Sequence, residues 1–198
     1  MIFATGALNH TGVIILTMTM RALSLLLPLF ALAADSQKYV SPDRSFQFVY
    51  PSGYVLHAGT PESYIPVCHS DSLVCVIFPA DKYKGTTFGA ASFEVKPVAA
   101  DTQRACLNSE IFTKDPGRVI DGVKLSQTVE EDAAMSHRIE SNLYRGFKKG
   151  KCYELAVRVT YTDIGVYDPG TVKEFTAQDK NQVVRELTRI MESLKFLR

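Results

Sequence analysis

CYELAVRVTY, residues 152–161, puts Tyr153, Leu155, Val157, Val159 and Tyr161 on one face of an extended chain and Glu154, Arg158 and Thr160 on the other. Successive side chains of a strand point to opposite sides, so this alternation predicts a half-buried antiparallel strand with its apolar face inward. Just before it, KKGK (148–151) has the composition of a tight turn, and residues 137–147 keep Ile139, Leu143 and Phe147 in register. The two segments therefore read as a hairpin. Upstream, SFQFVYP (45–51) alternates Phe46, Phe48 and Tyr50 against Ser45, Gln47 and Val49, and Pro51 and Gly53 end it. LVCVIF (73–78) is apolar without interruption, which predicts a central strand covered on both faces, and ASFEVKP (91–97) adds Phe93 and Val95.

Two segments have helical spacing. In AQDKNQVVRELTRIMESLKFL (177–197), Val183, Val184, Leu187, Ile190, Met191 and Leu194 recur on one face, with Asp179 as the expected N-cap. A shorter helix is expected to open at Asp101 and run through Arg104, Ala105 and Leu107 to Asn108, carrying Cys106. Neither a repeat nor a dividing linker interrupts the chain. The fold class is α+β: one antiparallel sheet with the C-terminal helix packed on it.

Near the N-terminus, MTMRALSLLLPLFALAADS (18–36) joins a basic Arg21 to an apolar run and a small-x-small site, Ala31-Leu32-Ala33. That is the pattern of a secretory signal peptide, so residues 1–33 are expected to be removed and 34–198 to form one secreted or periplasmic domain without stable membrane insertion. Of the 22 basic residues only Arg21 lies in the removed part, which leaves 21 basic against 21 acidic residues. A neutral chain argues against a nucleic-acid partner.

All four cysteines, Cys68, Cys75, Cys106 and Cys152, fall in the exported part. CHSDSLVC (68–75) could hold a metal or a disulfide, but its six-residue spacing fits neither the close cysteine pairs of zinc sites nor a redox C-x-x-C. Two disulfides, Cys68–Cys75 and Cys106–Cys152, are the expected pairing, with a cross-pairing of the four still open.

SFQFVYPSGY, an aromatic strand ending in Tyr-Pro-x-Gly-aromatic at residues 50–54, together with a closing helix that ends in MESLKF (191–196), resembles the PsbP-like family of exported proteins. The resemblance covers the two ends of the domain, about residues 45–56 and 178–197. It implies an α/β/α sandwich used for binding and assembly, and transfers no catalytic residue.

Sequence motifs for catalysis are missing. GAAS (89–92) and PSGY (51–54) do not make a Gly-x-Ser-x-Gly elbow, and scattered Gly85, Gly89 and Gly117 make no phosphate-binding loop. His57, His69 and His137 have no metal-ligand spacing, so no metal and no cofactor is expected. His137, beside Ser136 and near Glu140, is the starting point for an alternative reading as a hydrolase. Glu130-Glu131-Asp132 reads as a solvated turn. The segment YTDIGVYDPGTVKEF (161–175) carries loop markers and aromatic residues next to acids, which points to recognition by Tyr167, Asp163 and Asp168. The expected function is an exported, disulfide-stabilised binding or assembly module, not an enzyme, with a protein or small-molecule partner; an envelope chaperone or stress factor is the other alternative.

Overall fold

The computed structural model describes residues 35–59, 67–107 and 113–197. The expected signal peptide lies outside them. Ten strands and two helices follow one another: β1 (Ser36–Val40), β2 (Phe46–Pro51), β3 (Val55–Ala58), β4 (Val74–Ile77), β5 (Phe88–Val98), α1 (Gln103–Leu107), β6 (Thr113–Ile120), β7 (Val123–Ala134), β8 (His137–Lys148), β9 (Lys151–Thr162), α2 (Ala177–Glu192) and β10 (Lys195–Phe196). The strands form a seven-stranded sheet, β3-β4-β5-β9-β8-β7-β6, and a three-stranded one, β1-β2-β10, antiparallel throughout. The α+β expectation is met, and 152–161 lies inside β9, the middle strand of the larger sheet.

One core joins α2 to both sheets. Val183, Leu187, Ile190 and Met191 of α2 pack with Phe93 and Val95 of β5 and Leu155, Val157 and Val159 of β9. Phe46 and Phe48 of β2 enter the same core, and the Phe48 ring meets Phe93 edge-on at 5.4 Å. The N-cap lies three residues before the expected one: Thr176 caps the helix, and Asp179 sits in its first turn and completes a capping box. The Thr176 hydroxyl accepts from the Asp179 amide at 3.2 Å while the Asp179 carboxylate accepts from the Thr176 amide at 3.0 Å, so two otherwise unbonded amides are satisfied together.

The hairpin turn at Lys149-Gly150 takes positive φ at both residues, as two-residue turns between twisted strands require. LVCVIF is covered on both faces as expected from Val74 onward, while Leu73 at its start is exposed: Val74 and Val76 face the main core and Cys75 packs against Val67 and Cys68. Cys106 on α1 bridges to Cys152 on β9, and Cys68 to Cys75. The helix itself opens at Gln103 rather than Asp101, because the Thr102 hydroxyl accepts from the Ala105 amide and caps it. Asn108 lies outside the described residues.

Two expectations fail. Glu130-Glu131-Asp132 is not a turn: it belongs to β7, paired with Ser141, Glu140 and Ile139 of β8. And the polar face of β9 is not in water, since Glu154 and Arg158 are 2% and 7% exposed.

Candidate functional site

Two regions at the same end of the seven-stranded sheet carry functional geometry. The first is a pair of loops. The β7–β8 connection turns at Met135 and Ser136, whose φ values of 49° and 67° make it a tight two-residue turn of the kind normally built from Asn and Gly. A β-hairpin can hold Met there only against the steric preference of an L side chain. Met135 is 95% exposed. The loop after β9 leaves from the neighbouring strand, and its Asp163 amide donates to the Ser136 carbonyl at 2.9 Å. Arg138 on β8 adds a second tie, donating to both oxygens of Asp163 at 3.0–3.2 Å. Beyond Asp163 the chain makes one short 3-10 turn, Ile164–Val166, which leaves Ile164, Val166 and Tyr167 exposed. Among the described residues, these two loops thus present Met135, Ile164, Val166 and Tyr167 together.

Tyr167 is accordingly a surface residue. Asp163 serves as the anchor between the loops, while the Asp168 carbonyl accepts from the Thr171 amide and hydroxyl and shapes the following turn. His137 stands at the start of β8, exposed, with its Nδ1 3.0 Å from the Thr162 hydroxyl. Glu140 is engaged elsewhere: its carboxylate takes Lys180 at 2.6 and 2.7 Å and the Tyr161 hydroxyl at 2.5 Å. Burial pushes the Glu140 carboxyl up, and the hydrogen bonds from Lys180 and Tyr161 outweigh it, so the group lies below its ordinary value.

The second region covers the sheet face opposite α2. Here the strand registers align Glu130, Ser141, Arg158 and Ser92 across β7, β8, β9 and β5. The Cys68–Cys75 loop lies over this row and is pinned to Glu94: the His69 amide donates to its carboxylate at 2.9 Å and the Ser72 hydroxyl at 2.6 Å. Ser92 donates to the Val67 carbonyl at 2.6 Å. Arg158 links the elements, with Nη1 on Glu94, Nε on the Ser141 hydroxyl at 3.0 Å and Nη2 3.0 Å from His69 Nε2. An arginine has only donors, so this contact is a hydrogen bond when His69 Nε2 acts as the acceptor. A second buried carboxylate, Glu154, is held by Lys96 at 3.0 Å and Arg145 at 2.7 Å.

Beside this network opens a cleft of about 750 Å³, lined by Cys68, His69, Ser141 and Arg158 and by Val129, Glu130, Glu131, Asp132 and Ile139 of β7 and β8. The sequence concealed it, because a polar row on alternating strands has the pattern of a solvated face. The histidine and serines of the short disulfide loop were the available signal.

No protein-family model and no curated protein matches the chain. Solved structures do. A Bacteroides thetaiotaomicron protein aligns with 12% identity and a TM-score of 0.43 over 81% of this chain and 48% of its own, so the chain spans about half the length of that protein. LpqN of Mycobacterium tuberculosis, described as involved in cell envelope biogenesis, aligns with 9% identity and a TM-score of 0.45 over 82% of this chain and 91% of its own. A cyanobacterial PsbP protein from Synechocystis aligns with 9% identity and a TM-score of 0.35 over 87% of this chain and 98% of its own. At 12% identity or below, these three likenesses concern the fold alone. No helix among the described residues is long and apolar enough to cross a membrane.

Proposed function

We propose that this chain is an exported, non-catalytic binding module that engages a protein partner through the β7–β8 turn and the loop after β9, with Tyr167 at the centre of the contact and Asp163 and Asp168 shaping its surroundings. The observation that carries this reading is the exposure of Met135 at 95%, Val166 at 56%, Tyr167 at 39% and Ile164 at 37% on two loops fastened to each other by Asp163. Apolar side chains gathered on a polar-rimmed tip are a feature of interaction surfaces, and aromatic side chains dominate the energetics of such contacts. A Met turn held at positive φ supports the same reading, since a residue with better local propensity would serve a purely structural turn. Two disulfides suit a secreted or periplasmic site of action.

The experiment is site-specific photo-crosslinking in the envelope fraction, with the reactive group placed at Val166 or, as a control, at Lys149 on the opposite end of the β8–β9 hairpin. A discrete adduct from Val166 that disappears on adding Tyr167→Ala, with none from Lys149, is the expected result. Equal labelling from both positions would overturn the assignment.

A further inference from the structure

Two hollows adjoin at the end of the domain opposite the Tyr167 loop, where the β8–β9 turn meets the β1–β2 turn. The smaller, about 150 Å³, is bordered by Arg44, Lys148, Lys149 and Lys151. Lys151 is neutralised by Asp43 at 2.9 Å, and Lys149 donates to the Leu197 carbonyl at 3.2 Å. Arg44, Lys148 and Lys149 are in no salt bridge with a described residue. Three cations without a counter-charge thus surround one opening. Arg44 and Lys149 sit at φ 53° and 51°, turn positions that glycine or asparagine would occupy with less strain. The nearly neutral total charge conceals this local excess, because Glu130, Glu131 and Asp132 stand toward the other end of β7.

The larger hollow, about 670 Å³, lies on the far side of the Asp43–Lys151 pair, which together with Tyr153 borders both. Leu73, Pro97, Val98, Ala99, Ala105 and the Cys152 half of the long disulfide form its apolar lining. Leu73 is 36% exposed there. Beyond the paired Asp43 and Lys151, Asp101 is the one charged residue on that lining. A cationic opening continuous with an apolar groove matches a molecule that has an anionic head and an apolar tail. A free phosphate would leave the groove unused, and a neutral apolar ligand would leave the cations unused.

We propose that this end of the domain docks on a bilayer surface rich in acidic phospholipid, with headgroup phosphates at Arg44, Lys148 and Lys149 and the upper part of an acyl chain in the groove at Leu73 and Val98. Clustered lysine and arginine are drawn to anionic lipid, and burial of apolar surface adds to that attraction. The attachment is peripheral. It leaves free the loops at the other end of the twelve-residue strands β8 and β9, roughly 35 Å away at the rise of an extended chain. The lipid surface is separate from the loop surface proposed for the protein partner and does not depend on it.

Co-sedimentation of the disulfide-intact protein with vesicles of phosphatidylglycerol mixed into phosphatidylcholine, against vesicles of phosphatidylcholine alone, tests the proposal. The expected result is saturable binding to the mixed vesicles only, weakened by added salt. Replacing Arg44, Lys148 and Lys149 together by glutamine should lower the affinity by about tenfold or more, since each basic residue near an anionic surface contributes to binding. Leu73→Gln should lower it by about threefold while the preference for phosphatidylglycerol is kept, because apolar burial sets part of the affinity. Melting temperatures close to the parent's show that both variants are folded, and the comparison of the two vesicle types needs no variant. Equal binding to both vesicle types, unchanged affinity in the triple variant or in Leu73→Gln, release by inorganic phosphate at constant ionic strength, or equally tight binding of a DNA duplex would each overturn the proposal.

Discussion

Arg158 and Glu94 form their ion pair diagonally rather than across from each other: the register sets Arg158 opposite Ser92 and Glu94 opposite Ala156. Diagonal neighbours on antiparallel strands are within reach of long side chains. The pair therefore spans two rows of the sheet, and His69 and Ser72 fasten the disulfide loop to the same carboxylate. Removing one partner leaves a buried charge without its counter-charge. Arg158→Ala should cost about 3–5 kcal/mol in urea unfolding, whereas replacing Arg158 and Glu94 together by methionine should cost clearly less. Equal losses in the single and double variants would mean that packing, not charge, sets the cost.

The two disulfides should act on different quantities. Cys106–Cys152 closes a separation of 46 residues and Cys68–Cys75 one of 7. Loop-closure entropy alone assigns them about 4 and about 2.5 kcal/mol. Loss of the long bridge should thus lower the unfolding midpoint more, while loss of the short one should chiefly speed amide exchange at His69. The pair of variants Cys106→Ser/Cys152→Ser and Cys68→Ser/Cys75→Ser, compared by denaturation and hydrogen exchange, checks both statements.

Acid should weaken the attachment of α2. For Glu140 and Glu186 burial works to raise the carboxyl, but hydrogen bonds from Lys180 and Tyr161 to the first, and from Lys82, Tyr54 and Gln182 to the second, bring the net value below 4.5. A carboxylate with a lowered folded-state pKa contributes stability that is complete above its unfolded value and is lost as pH falls through the folded one. Glu140→Gln should accordingly be less stable than the parent at about pH 7, and the gap should close below about pH 4. A gap that persists unchanged in acid would assign the effect to the hydrogen-bond geometry instead of the charge.

What the sequence made legible follows from which interactions are local. Alternation in β9 and β2, helical spacing in α2 and the turn at Lys149-Gly150 are properties of neighbouring residues, and each was readable. The even cysteine count, in a chain whose N-terminal pattern reads as an export signal, made two disulfides legible as well. β7 was missed because Glu130-Glu131-Asp132 outweighed the Asp121-Gly122 pair, which sits at φ 48° and 76° and joins β6 to β7 in a tight turn. The cleft was missed for a different reason. Glu94, Ser141 and Arg158 have the pattern of solvated positions, and only the covering loop, 25 residues away in sequence between His69 and Glu94, makes them buried. Tyr167 could be read as a surface residue from the turn-forming residues around it, but nothing local pointed to the Met135-Ser136 turn to which its loop is tied at Asp163.

Met135 offers a test that separates stability from surface chemistry. Glycine adopts positive φ without steric cost, so Met135→Gly should leave stability unchanged or raise it by up to about 1 kcal/mol. Partner binding should nevertheless weaken, because the most exposed apolar side chain of the tip is gone. A destabilised Met135→Gly variant would show that the side chain packs in the folded domain.

The most direct measurement of the proposed function pairs partner affinity with the melting temperature of Tyr167→Ala, using the partner trapped from Val166. The loop is anchored by Asp163 and the ring is 39% exposed, so truncation should weaken binding by roughly 1 kcal/mol or more, about fivefold or greater, with little change in melting temperature. Undiminished affinity, or affinity and melting temperature falling together, would contradict the assignment of this loop as the binding surface.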